Sequence, residues 1–352
     1  MRDPAVTVSK SLDAKVNRLV ADPGCRDFIL ADAKDADMAF GLAAPGLAAG
    51  GDRLQGPFRT LDEFRGHIRE IVAQGLVDVM LMSASTSEVL AIDEGLFAES
   101  TVTPAVRMND TTDIWLAAGA GTYPRQPALP FATTTVSEAQ WGRLVPPRSG
   151  RPAVDLGLFS VTLNGDAAAD REMLTAYRRF RHEAEEVGFR HFLEVFFPNV
   201  LAQGGSAAPL GVARFVADHV VRALAGVPRA GRPVFLKIPY LGPEITEQLA
   251  SYDRALIVGI LGGAAGTTHD AFSLVAESKR HGARVALFGR KINAAEHQLE
   301  FIRFLRAVAD EEITAAEAVR AYHAALATLG LRPHRPLDDD LAITHTAAAY
   351  GG

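Results

Sequence analysis

The sequence predicts an α/β protein: a single-domain (β/α)8 TIM barrel with extended βα loops and a C-terminal helical extension. Three observations lead there. Short apolar runs alternate with amphipathic stretches along the whole chain. The runs are near-continuously apolar, as in parallel strands covered on both faces. Eight strand–helix units in series point to a closed ring more than to an open sheet. A doubly wound sheet, the competing architecture, usually has a glycine-rich phosphate loop after its first strand. Here that segment reads Asp32-Ala-Lys-Asp-Ala-Asp-Met-Ala-Phe-Gly41, with neither GxGxxG nor GxxxxGK[ST].

The predicted strands cover residues 28–31, 77–82, 105–108, 156–163, 191–196, 234–238, 255–260 and 284–288. A helix over 10–21 precedes the first. Residues 61–74 place Phe64, Ile68, Ile71 and Val72 on one stripe with charges opposite. A helix over 86–97 follows the second strand. Residues 169–187 form a long charged helix that Gly188 stops, and 211–225 aligns Val212, Phe215, Val216, His219 and Val220. Helices over 244–251, 268–281 and 294–309 follow the last three strands. A further helix over 314–329 opens with Thr314 and Glu317 at capping-box spacing. The barrel core is expected over about 25–310, with 311–352 as a C-terminal helix and tail of the same domain, 1–352. Two connections, 41–59 and the proline-rich 110–152, are long enough to read as functional elaborations of one barrel face. The tail 332–352 is expected to be loose or to pack on a partner subunit.

Composition narrows the function classes. Of 352 residues, 48% are hydrophobic and 22% charged, and the net charge is −6. That balance offers no global attraction for nucleic acid or an anionic membrane. The lone Cys25 excludes an intrachain disulfide and fits a reducing compartment. Met1–Lys10 lacks the apolar core of a signal peptide, and no apolar run reaches the roughly 18–20 residues of a membrane span. A cytoplasmic location is expected. The ten histidines show no HExxH or other close ligand spacing, so neither a metal nor another cofactor is expected.

Chemistry is sought at the C-terminal strand ends, which converge on one face of a barrel. Arg232-Pro-Val-Phe-Leu-Lys-Ile-Pro-Tyr240 puts Lys237 at the end of the sixth strand, among apolar residues. Burial disfavours an ammonium, and a neutral amine is what a Schiff-base nucleophile needs. The plain alternative is a snorkelling or ion-paired lysine. Glu194, in Phe192-Leu-Glu-Val-Phe-Phe197 of the neighbouring strand, can approach Lys237 and move protons. The alternative is a structural pair, which is often no better than apolar packing. Asp32 ends the first strand, as a hydroxyl ligand, a proton-transfer group or an Asx cap, with Lys34 beyond it as a further substrate contact. Gly262 and Gly263 open the helix after the seventh strand, and Gly289-Arg290 follows the eighth. Glycines and a helix start suit a phosphate, and a guanidinium grips one bidentately. Arg107 and Asn109, around the third strand end, either bind a second anionic or hydroxyl group or anchor the loop.

Taken together, Ile29-Leu-Ala-Asp32, Leu193-Glu194, Leu236-Lys237-Ile-Pro239, Gly262-Gly263 and Phe288-Gly289-Arg290 resemble the class I, Schiff-base aldolases of the tagatose-1,6-bisphosphate aldolase and archaeal-type fructose-bisphosphate aldolase group. The resemblance implies a metal-free TIM barrel that cleaves a phosphorylated ketose to dihydroxyacetone phosphate and an aldehyde. It makes Lys237 the imine-forming lysine, Glu194 the proton-transfer residue, and Gly262, Gly263 and Arg290 phosphate ligands. The implied partner is a small sugar phosphate, and a homo-oligomer is expected. Relatives in the group also act on sulfonated sugars or transfer acyl groups. Isomerisation, epimerisation or acyl transfer at the same site, and non-catalytic sugar-phosphate binding, are the other readings. Lys291-Ile-Asn293 after Arg290, Asp32-Ala-Lys34, and the 110–152 insertion depart from the group's pattern.

Overall fold

A computed structural model describes residues 8–52, 56–112, 114, 125–200, 211–263 and 266–345. In chain order its strands are β1 (Ile29–Lys34), β2 (Leu47–Asp52), β3 (Gly56–Phe58), β4 (Val79–Met82), β5 (Thr103–Arg107), β6 (Asp110–Thr111), β7 (Pro130–Phe131), β8 (Leu156–Thr162), β9 (Arg190–Phe196), β10 (Leu236–Lys237), β11 (Gly259–Leu261) and β12 (Val285–Phe288). The helices of ten residues or more are α1 (Ser11–Ala21), α2 (Leu61–Gln74), α3 (Ala167–Glu186), α4 (Val212–Ala225), α5 (Pro243–Tyr252), α6 (Thr268–Arg280), α7 (Gln298–Ala309) and α8 (Ala315–Thr328).

Eight strands form one parallel sheet in the order β10-β9-β8-β5-β4-β1-β12-β11. A parallel bridge from Ile238 to Ile260 joins β10 to β11 and closes the ring. The chain is therefore the (β/α)8 barrel that its alternation predicts. Side-chain parity divides the apolar residues into two layers. Ile29, Ala31, Val79, Leu81, Ala105, Leu156, Leu158, Phe192, Phe235, Ile257, Val285 and Leu287 pack on one another inside the ring, with Leu12 of α1 against them. The intervening residues, such as Leu30, Met80, Val106, Leu193, Leu236 and Ala286, pack outward against the helices. Capping boxes start α2 (Thr60, Glu63), α6 (Thr267, Asp270) and α8 (Thr314, Glu317), each satisfying helix N–H groups that would otherwise lack partners.

The differences from the sequence reading have local causes. The first strand continues three residues past 31, through Asp32 to Lys34, because each polar side chain finds a buried partner. The sixth and seventh strands are shorter than expected, and Pro239, lacking an N–H, follows Ile238 at the end of β10. The helix expected over 86–97 is a short α-turn, Ala84–Ser87, followed by π-helical Glu88–Asp93. Residues 41–59 contain the antiparallel hairpin β2–β3, and the 110–152 insertion contains the antiparallel pair β6–β7 and a helix at Val136–Trp141. The described part of the tail folds onto its own barrel. There Asp340 accepts the Thr268 N–H at 2.7 Å and Thr344 binds Asp270.

Two strand-end glycines are required by close approach. A Cβ on Gly262 would lie 2.3 Å from the Phe288 ring, and one on Gly289 would lie 2.5 Å from the Ala33 carbonyl oxygen. The latter neighbour is barrel backbone and cannot swing aside. Gly289→Ala is expected to destabilise the fold by about 1–3 kcal/mol, read as a lower urea midpoint with an unchanged slope.

Candidate active site

Inward parity carries a cluster of charged side chains to the C-terminal end of the ring. Register places Ser160, Glu194 and Lys237 side by side on β8, β9 and β10. Lys237 Nζ lies 2.6 Å from Glu194 Oε1, with the lysine side chain 8% and the carboxylate 2% exposed. Glu194 Oε2 accepts the Ser160 hydroxyl at 2.6 Å and Arg107 Nη2 at 3.3 Å. Arg107, at the end of β5, also donates through Nη1 to Ser160 Oγ at 2.9 Å and through Nε to Asp35 at 2.5 Å. Asp110 stands 3.8 Å from its Nη1. A planar guanidinium thus ties β5, β8 and β9 and the carboxylates of Asp35 and Asp110 together, a task its fixed fork suits better than an ammonium.

The electrostatics follow from this packing. Burial by itself raises the Asp35 carboxyl, but Arg107 and then Lys237 reverse this and hold it below the usual carboxylate range. Burial pushes Asp110 up to about 6 despite Arg107 nearby. Burial disfavours the Arg107 cation, and Asp35, Glu194 and Asp110 more than offset it, raising its pKa. Lys237 meets the carboxylate of the neighbouring strand that the sequence placed within its reach.

Other expected site residues lie elsewhere. Asp32 and Lys34 share the outward row of Leu30, so the structure does not bring them to Lys237. They pair at 3.2 Å with no side-chain exposure. Lys34 Nζ also donates to Asn293 Oδ1 and Gln298 Oε1 and lies over the Phe64 ring of α2. Burial pushes Asp32 up to about 6 and lowers Lys34. Asp35 takes the inward place expected of Asp32. Asn109 is used by the scaffold: its amide exchanges bonds with the Ser160 backbone at 2.6 and 2.9 Å, extending β5 along β8. Arg107 likewise bonds the protein's own carboxylates and serine, as the anchoring reading expects.

The expected phosphate elements follow the ends of the paired strands β11 and β12. Gly262 and Gly263 are buried in strand packing, and the Thr268 N–H at the start of α6 already holds the Asp340 carboxylate. Gly289 and Arg290 line a cleft of about 720 Å3, together with Ala36, Phe40, Phe58 and Arg59. Ala36 of this lining follows Asp35 in the chain. The sequence offered Asp35 just beyond strand one and Asp110 at the inserted loop without a role for either, and Ser160 and Arg59 were not singled out. Period-two parity through β1 and β8 marks Asp35 and Ser160 as inward, whereas Arg59 and Asp110 reach the site through hairpin and insertion geometry.

Among the described residues, no cluster of His, Cys, Asp and Glu has the geometry to hold a metal ion, and no helix is long and apolar enough to cross a membrane. Fold and site together define an eightfold βα barrel with a buried lysine–carboxylate pair at its C-terminal end.

No protein-family model matches the chain, and no curated protein does. Among solved structures, an archaeal fructose 1,6-bisphosphate aldolase is 16% identical, covering 85% of this chain and 99% of its own with a TM-score of 0.56. An archaeal fructose-1,6-bisphosphate aldolase with its catalytic lysine bound covalently to the carbinolamine intermediate is 17% identical, covering 85% and 99%, with a TM-score of 0.57. A Corynebacterium glutamicum protein is 15% identical over 87% of this chain and 100% of its own, with a TM-score of 0.52. At these identities the likeness is one of fold.

Proposed function

We propose that the chain is a class I aldolase: a lyase that breaks or forms a C–C bond in a phosphorylated ketose through an imine on Lys237. The observation that carries this reading is the 2.6 Å contact between Lys237 Nζ and Glu194 Oε1, both buried, in one register row at the catalytic end of a barrel. Likeness of fold to Schiff-base aldolases supports it without deciding the chemistry.

Glu194 takes a proton from the lysine, and the freed amine adds to the substrate ketone. The resulting carbinolamine loses its hydroxyl as water, with the proton returned by Glu194. As the C–C bond breaks, the protonated imine accepts its electron pair and the Glu194 carboxylate takes the proton of the hydroxyl on the departing carbon. An aldehyde leaves, and protonation of the enamine followed by hydrolysis releases dihydroxyacetone phosphate. Ser160 and Arg107 hold the second oxygen of Glu194, so the first stays aimed at the amine. The phosphate end is assigned to the cleft bearing Arg59 and Arg290.

Borohydride reduction in the presence of dihydroxyacetone phosphate, followed by peptide mass analysis, tests the reading. The adduct is expected on Lys237, and an adduct on another lysine sinks the assignment. Glu194→Gln is expected to slow imine formation by roughly 10²–10⁴-fold, the range for loss of a general acid–base, in single-turnover trapping.

The walls of the cleft, largely Ala, Phe and Leu, favour one alternative: acyl transfer or isomerisation on a related phosphorylated compound. Turnover that survives Lys237→Met but not loss of Glu194 identifies it.

A further inference from the structure

The cluster around Arg107 contains more acids than bases. Arg107 and Lys237 face Glu194, Asp35 and Asp110, and no side chain among the five is more than 8% exposed. Three buried carboxylates against two cations leave one negative charge without a partner, an arrangement that a low-dielectric site resolves by keeping a proton. The hydrogen bonds say where. Asp35 accepts directly from Arg107, and Glu194 is held by Ser160, Arg107 and Lys237. Asp110 is held least. Among the described residues, its Oδ1 accepts only the Thr111 N–H, its distance to Arg107 exceeds hydrogen-bond range, and its Oδ2 is buried without a hydrogen-bond partner.

We propose that Asp110 carries the exchangeable proton of this cluster, so that the charge facing Lys237 changes by one as Asp110 titrates. Asp110 belongs to the inserted segment, not to the barrel repeat, and so gives the site a proton store outside the strand rows. Of the strands beside β6, β7 brings Pro130 and Phe131, and β8 brings the neutral Ser160. The charged groups acting on Asp110 among the described residues are therefore Arg107, Asp35 and Glu194, with Lys237 beyond Glu194 and Asp37 beside Asp35. Burial outweighs Arg107 and places the titration near 6. Protonated Asp110 leaves two carboxylates against two cations. Ionised Asp110 makes it three carboxylates against two cations. The assignment concerns the resting protein and stands or falls independently of imine chemistry.

The full chain, labelled with ¹³C at the aspartate carboxyls, is titrated by NMR from about pH 8 to 4. A resonance with a midpoint near 6 is expected to vanish in Asp110→Asn. Asp32, which titrates in the same range, is identified by Asp32→Asn. Retention of every wild-type midpoint in folded Asp110→Asn overturns the proposal. Should that variant fail to fold, the Asp32→Asn, Asp37→Asn double variant must keep one aspartate titrating near 6, and finding none overturns it. A second readout is the melting temperature of Asp110→Asn minus that of wild type. The folded pKa of Asp110 lies above its ordinary value, so wild type loses stability as pH rises through 6. The difference should increase from pH 4 to 8, and a flat difference counts against the proposal.

Discussion

Lys237→Met is expected to abolish the borohydride-stable adduct and to lower C–C lyase turnover by on the order of 10⁵-fold, the scale seen when an enzyme loses its nucleophile. Methionine fills the space at the end of β10 without an amine. Glu194 loses its 2.6 Å partner but keeps Ser160 and Arg107, so the carboxylate is not abandoned in the barrel. Melting temperature and near-ultraviolet circular dichroism should therefore show a folded protein. That combination, intact fold with no adduct, separates loss of the nucleophile from loss of structure. An adduct that persists at full yield in the variant ends the imine assignment to this residue.

Arg107→Met should be the most destabilising of the site substitutions, by about 3–5 kcal/mol, the range for removing one partner from a buried ionic network. Asp35, Glu194 and Asp110 would all remain buried with their shared cation gone. Arg107→Lys should recover only part of the loss, because an ammonium cannot reproduce the forked bonds to Asp35, Ser160 and Glu194. The pH dependence gives a sharper check. Burial would raise the Asp35 carboxyl, but Arg107 and Lys237 hold it below its ordinary value. A depressed folded pKa contributes stability above the unfolded value, about 3.9, and that stability is lost as pH falls through the folded pKa. The gap between wild type and Arg107→Met in urea denaturation should therefore narrow as pH drops below about 4. A gap that widens with acid would mean that the guanidinium is not what keeps Asp35 ionised.

Much of the barrel was legible because its cause is local. Each strand is an apolar run of the length a barrel needs, and Thr60–Glu63 and Thr314–Glu317 announce helix starts within four residues of sequence. Lys237 and Glu194 were legible for a related reason: a charge among Phe, Leu, Val and Ile demands a partner, and the neighbouring strand offers one. Asp32 misled because strand one was expected to stop at residue 31. Continuing the alternation Ile29, Ala31, Ala33 brings Asp35 inward and sends Asp32 and Lys34 to the helices, where Asn293 and Gln298 receive the lysine. For Asn109 and Arg107 the sequence left two readings open, a ligand contact or a loop anchor. Polar side chains at a strand end look like ligand contacts until the backbone and carboxylates that consume them come into view.

The sequence alone settled the repeating strand–helix order, the absence of a nucleotide-type glycine loop and the candidacy of one lysine and one glutamate, since these depend on residues adjacent in the chain. Only the tertiary structure decided that Asp35 and not Asp32 turns inward, that Arg107 links β5, β8 and β9, that Asp340 fills the start of α6, and that Asp110 is short of partners among the described residues. Those outcomes rest on distances between segments tens to hundreds of residues apart, fixed by ring closure and strand register, and a linear pattern carries no record of them.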